Sequence, residues 1–175
     1  MYSVLSEKME IQIKIKDYFK RYFYEIDSPK KRKMDLVRFI IAQKSDYEIA
    51  LEELKKEKKE SHWMWYIFPQ INGLGFSENS KYFAIKNTDE ATAFLNHPIL
   101  GPRLIELSNL LLELKNKNAR DIFGSPDYLK LKSSMTLFSQ VKDANPVFLK
   151  VINKFFDGHL DPKTLTILTN QNSVI

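Results

Sequence analysis

The chain has 175 residues, enough for one domain with a proper core, and its 43% hydrophobic and 28% charged residues are ordinary for a soluble globular protein. It contains no cysteine, which excludes disulfides, thiolate metal sites and cysteine nucleophiles. The formal charge of +5 is spread evenly, with 15 basic against 12 acidic residues up to Glu60 and 12 against 10 beyond it, so the basic stripe of a dedicated nucleic-acid binder is missing.

No apolar run approaches the roughly 20 residues that span a bilayer. The N-terminus, MYSVLSEKMEIQIKIK, is charged too early and too often for a signal peptide. The protein therefore reads as cytoplasmic, with no membrane partner.

Residues 1–27 read as an appended aromatic helix. Tyr18, Phe19, Tyr22 and Phe23 would need cover from the main domain or from a second copy of the chain, which makes self-association through this segment one expectation. Ile11, Ile13 and Ile15 alternate with polar residues, but a lone strand has no partner. The run Lys30, Lys31, Arg32, Lys33 after Ser28 and Pro29 looks like a nuclear-import signal. It reads more economically as a solvated linker. These features divide the chain into an N-terminal extension and linker (1–33), a main helical domain (34–168) and a C-terminal tail (169–175).

Ser45, Asp46, Tyr47 and Glu48 have the form of a capping box and predict a helix start there, continuing through LEELKKEKK. The next stretch, SHWMWYIFPQINGLG at residues 61–75, predicts a helix ending at Phe68, because proline disfavours helical backbone in the residue before it. On such a helix His62, Trp65 and Tyr66 share one face, while Met64 and Phe68 lie toward the core. The two glycines, Gly73 and Gly75, permit a tight turn and close backbone approach.

Thr88 before Asp89 and Glu90 predicts another helix start. Asn96-His97-Pro98 and Gly101-Pro102-Arg103 break two helices, and Arg103 at the second start calls for an acidic partner or an anionic ligand. Leu104, Leu107, Leu111 and Leu114 form an apolar face, as do Leu131, Met135 and Phe138. Ser125-Pro126-Asp127, Asn145-Pro146 and Asp161-Pro162 repeat a cap-then-proline pattern, and Asp157-Gly158 supplies a stop. The sum is an all-α, single-domain bundle of about six to eight helices with an appended N-terminal helix, a short hairpin being the alternative.

Candidate chemistry collects in two stretches. In the first, Trp63 or Trp65 could stack on a planar group, His62 could act as general acid or base, and Gln70 could orient a ligand. In the second, FGSPDYLKLKSSMTLF, Lys130 and Ser134 share a helix face with Ser133 alongside, and Lys132 points elsewhere. Lys81, Arg103 and Lys130 are the candidate counter-charges. Each set has a plain packing alternative: aromatic core in the first stretch, close helix contact in the second. The three histidines lie far apart without a metal-ligand pattern, so neither a metal nor a cofactor is expected.

SHWMWYIFPQINGLG, SKYFAI, HPILGPRL and FGSPDYLKLKSSMTLF resemble the mainly bacterial domain-of-unknown-function family 1810, over residues 36–168. The resemblance implies a compact, predominantly helical protein and brings no catalytic residues. The family is loosely labelled calpastatin, but calpastatin is disordered and repetitive, whereas this chain is periodic, capped and free of repeats. Three functions therefore compete. One is a site for an anionic, partly planar small molecule, with hydrolysis as the reaction class that fits if the protein is an enzyme. The others are a module for single-stranded nucleic acid or a partner protein, and a self-associating structural protein.

Overall fold

The computed structural model describes residues 36–115 and 117–172. All of them belong to one compact unit, Leu36–Ile175. The aromatic N-terminal segment, the Ile11/Ile13/Ile15 alternation, the basic run and self-association through residues 1–27 lie outside the described residues.

The first helix, α1 (Val37–Lys55), runs straight through the expected capping box. Ser45 sits in mid-helix, with its hydroxyl 3.5 Å from the Ala42 carbonyl. The reason is burial on both sides of the box: Phe39, Gln43, Tyr47, Ala50 and Leu54 form one continuous inward face. A continuous apolar face outweighs a local cap signal. Near the helix start, Arg38 and Glu90 form a buried ion pair at 3.0 Å. The Arg38 guanidinium also donates to the Ala84 carbonyl at 2.8 Å, and Glu90 accepts from the Lys86 N–H at 2.6 Å. Those extra hydrogen bonds are what make two buried charges tolerable.

The aromatic stretch contributes only one turn, α2 (Met64–Ile67). Beyond it, Ile71 and Ile85 make an isolated parallel bridge that closes the loop carrying α3 (Glu78–Tyr82). Gly73 takes the left-handed φ of 99° that the loop requires. Gly75 serves the other purpose, since a Cβ there would lie 2.5 Å from that of Ser80. Ser77 caps α3 by accepting from the Ser80 N–H at 3.2 Å.

Helix α4 (Thr88–Asn96) is capped one residue earlier than expected, by Asn87 accepting from the Glu90 N–H at 3.0 Å. Helix α5 (Leu100–Glu113) buries Leu104, Leu107 and Leu111, and Leu114 is buried just beyond its end. The single-turn α6 (Ala119–Phe123) leads into α7 (Asp127–Ser139). Ser125 does not cap α7. The Ser125–Pro126 bond is cis, and the helix starts without a side-chain cap bond.

The two later cap-then-proline sites behave as written in the sequence. Asn145 accepts from the Val147 N–H at 2.9 Å where α8 (Val147–Phe156) starts, and Asp161 precedes α9 (Pro162–Asn172). Asp157 at φ 52° and Gly158 at φ 76° stop α8. Helix α7 is central: it packs against α4, α6, α8 and α9, while α5 packs on α1, α4 and α8. Phe39, Phe94, Phe138 and Phe148 form an aromatic chain with successive ring centroids 5.1, 5.3 and 5.8 Å apart. The fold is all-α. Three of its nine described helices are single turns, and no strand occurs among the described residues. No described helix is long and apolar enough to cross a membrane.

Candidate functional site

The two tryptophans, two residues apart, have separate fates. Trp63 is fully buried and packs near Phe68 and Phe123. Its indole N–H donates to Glu53 Oε2 at 2.7 Å. The same carboxylate accepts from the backbone N–H groups of Glu60 and Ser61 and from the Ser61 hydroxyl. Burial alone would raise the Glu53 pKa, but these donors outweigh it and hold the carboxyl below its ordinary range. This arrangement keeps residues 60–63 out of the helix, which is why α2 starts only at Met64. Met64 and Phe68 face the core as expected.

His62 precedes the helix and is exposed. It therefore does not share a helical face with Trp65 and Tyr66. Tyr66 is buried and donates its hydroxyl to Asp46.

Trp65 is half-buried and opens onto a cleft of about 530 Å³. Trp65 and Gln70 form one wall. The loop residues Leu74, Gly75 and Phe76, with Ser77 and Ser80, form a second. The first turns of α7 bring Pro126, Leu129, Lys130, Lys132 and Ser133, and the start of α9 brings Asp161 and Lys163. Phe76 is 88% exposed at the rim. A second cavity of about 400 Å³ shares Leu74, Phe76 and Lys163 with the first.

The charges in the cleft are positioned by their neighbours. The Lys130 ammonium lies 4.5 Å from the Trp65 ring centroid and pairs with Asp127 at 2.7 Å. Asp127 also pairs with the buried Lys59 at 2.6 Å. Burial raises the Asp127 pKa, but Lys130 and Lys59 together more than offset it and hold the carboxyl low. Lys132 and Lys163 make no ion pair with a described residue. Lys132, expected to point elsewhere, lines the cleft because its long stem reaches round from the adjoining helix face. Its ammonium lies 5.8 Å from the Phe156 ring centroid.

Four expected site residues thus meet in one cavity: Trp65, Gln70, Lys130 and Ser133. The others do not line it. Trp63 is core, and His62 faces solvent. Lys81 is exposed and pairs with Glu78 at 3.2 Å. Arg103 lies over the Tyr47 ring, 4.3 Å from its centroid, and donates to Gln43 at 3.3 Å, so an aromatic face and an amide replace the expected acid or ligand. Ser134 is buried in the helix contact, and its hydroxyl has no hydrogen-bond partner among the described residues.

Sequence reasoning missed Phe76, Ser77, Ser80, Lys132, Asp161 and Lys163 as cleft residues. The one usable signal was Asp161-Pro162, which it read only as a cap. No group of three or more metal-ligating side chains occurs among the described residues.

A family model described as a protein of unknown function (DUF1810) matches residues 33–168. Among solved structures, the conserved hypothetical protein Rv1873 from Mycobacterium tuberculosis is similar, with a TM-score of 0.76 and 43% identity. The match covers 78% of this chain and 97% of that one. Comparison with curated proteins gives no match.

Proposed function

Since the chain belongs to the DUF1810 family of proteins of unknown function, we propose its function from the geometry of the cleft: it binds a small anionic ligand with a planar part, such as a nucleotide or another phosphorylated metabolite. One observation carries this reading. A half-buried tryptophan shares a concave cavity with three lysines and a single carboxylate. The indole suits a flat apolar group, and Lys132 and Lys163, which no described carboxylate neutralises, suit an anion. The volume falls within the roughly 300–1,000 Å³ typical of small-molecule sites.

The reading is one of binding. His62 does not line the cleft and offers no general base there, so hydrolysis lacks the residue expected to serve it.

Thermal denaturation with millimolar nucleoside monophosphates, sugar phosphates and nicotinamide nucleotides tests the proposal. A ligand present at about 1,000 times its Kd stabilises the folded state by about 4 kcal/mol. The shift should vanish in Trp65→Ala and shrink in the Lys132→Ala/Lys163→Ala double variant. A complete absence of shifts, or a shift unaffected by both variants, refutes the site.

The exposed Phe76 ring favours a second reading, a module for single-stranded nucleic acid, because rim aromatics stack successive bases. Oligonucleotides binding far more tightly than mononucleotides, with steep salt dependence, would select it.

A further inference from the structure

Asp161 is the one acid among the residues lining the cleft, and it is held in a fixed pose. Its Oδ2 accepts from the Thr164 N–H at 3.1 Å, from the Thr164 hydroxyl at 2.6 Å and from the Ser133 hydroxyl at 3.0 Å. Its own N–H donates to the Thr136 hydroxyl at 2.9 Å. The carboxylate is therefore tied to both α7 and α9 and cannot swing away from an incoming anion. All of these side-chain bonds fall on one oxygen. Oδ1 accepts no hydrogen bond from the described residues. An ionised carboxylate accepts hydrogen bonds at both of its oxygens and donates none.

A ligand that fills the cleft takes Asp161 out of solvent and must supply a donor to it, because an unpaired charged oxygen is costly once desolvated. An anionic group cannot do this, since it would face the carboxylate with like charge. A hydroxyl can.

We infer that Asp161 is a specificity residue that accepts a hydrogen bond from a sugar hydroxyl, so the ligand class is a ribose-bearing phosphate with a planar base rather than a simple aromatic acid. This inference rests on the cleft being the ligand site, and it deepens that reading. Trp65 takes the base, Lys132 and Lys163 take the phosphate, and Asp161 Oδ1 takes the hydroxyl between them. Ser133 is a positioning residue, since its hydroxyl, shared between Asp161 Oδ2 and the Leu129 carbonyl, helps to hold the carboxylate against α7.

The test is calorimetric titration of the full chain with adenosine 5′-monophosphate, its 2′,3′-dideoxy analogue and inorganic phosphate. Asp161→Asn is the key variant, because asparagine is as good a helix cap as aspartate but places an amide where the carboxylate stood. The wild type should bind the ribonucleotide at least about tenfold more tightly than the dideoxy compound, as expected for one charge-assisted hydrogen bond. In Asp161→Asn that preference should disappear while the melting temperature and helical circular dichroism hold. Equal binding of both nucleotides by the wild type, with both lost in Trp65→Ala, overturns the role of Asp161 and leaves the cleft standing. Binding of neither nucleotide, or of phosphate alone, overturns both.

Discussion

Replacing each tryptophan in turn should separate core from cleft. Trp63 is fully buried between Phe68 and Phe123, with ring centroids 6.2 and 6.3 Å away. A buried tryptophan removes about 150–250 Å² from water, which at about 25 cal/mol per Å² amounts to roughly 4–6 kcal/mol as an upper bound. Measured truncations of buried aromatics to alanine cost about 3–5 kcal/mol. Glu53 keeps its donors from Glu60 and Ser61, so the lost indole bond adds little to that figure. Trp63→Ala should therefore cost about 4 kcal/mol, lowering Tm by about 10–20 °C for a domain of this size.

Trp65 is half-buried and has Lys130 above its ring, so Trp65→Ala should cost only about 1–2 kcal/mol. Melting curves followed by circular dichroism give both values. The same melts with a nucleotide present give the second readout: Trp63→Phe should keep the ligand-induced shift, and Trp65→Ala should lose it. A Trp65→Ala variant that melts below Trp63→Ala would refute the assignment of roles, as would a ligand shift that follows Trp63 instead.

Two further outcomes follow from the fold. Burial pushes the His97 imidazole down to about 4, and its Nδ1 accepts from the Ile99 and Leu100 N–H groups at 3.1 and 3.3 Å. The unfolded chain then binds the extra proton between pH about 6.5 and about 4, so stability falls as pH drops through that window, by up to about 3 kcal/mol. His97→Asn keeps a side-chain acceptor and should flatten the urea-derived stability profile there; an unchanged slope would remove His97 as its source. A Cβ at Gly101 would sit 1.9 Å from the Leu95 carbonyl oxygen, a backbone atom that cannot yield without moving α4 against α5. Gly101→Ala should thus cost about 3 kcal/mol in urea unfolding, and near-neutral behaviour would show that the crossing is looser than described.

The parts of the fold carried by local chemistry were legible in the sequence. The leucine face of α5, the Leu131/Met135/Phe138 face of α7, the caps at Asn145 and Asp161 and the stop at Asp157-Gly158 need only neighbours along the chain. Misreadings arose where distant contacts override local signals. Ser45 is bypassed because the buried face of α1 extends on both sides of it. The aromatic helix shrinks to one turn because Glu53, ten residues before Trp63, holds the preceding backbone. The cleft was half legible for the same reason. Trp65 and Gln70 are near in sequence, as are Lys130 and Ser133, but Asp161 joins Ser133 across 28 positions. No periodicity encodes that meeting, which depends on α9 packing against α7.

The Ile71–Ile85 bridge bears on how the rim of the cleft could change. The Ile85 N–H donates to the Gln70 carbonyl and the Asn72 N–H to the Ile85 carbonyl, both at 2.8 Å, so the intervening segment leaves and rejoins the core at one point. A loop closed at its base is thermodynamically insulated: doubling its length adds only about 0.6 kcal/mol of closure entropy. Residues 73–82 thus behave as an exchangeable cassette, while Phe83 packs on Phe39 and the Ala84 carbonyl accepts from Arg38. Laboratory grafting could replace Phe76 and its neighbours, and with them the shape of the entrance, while the aromatic chain from Phe39 to Phe148 is left untouched.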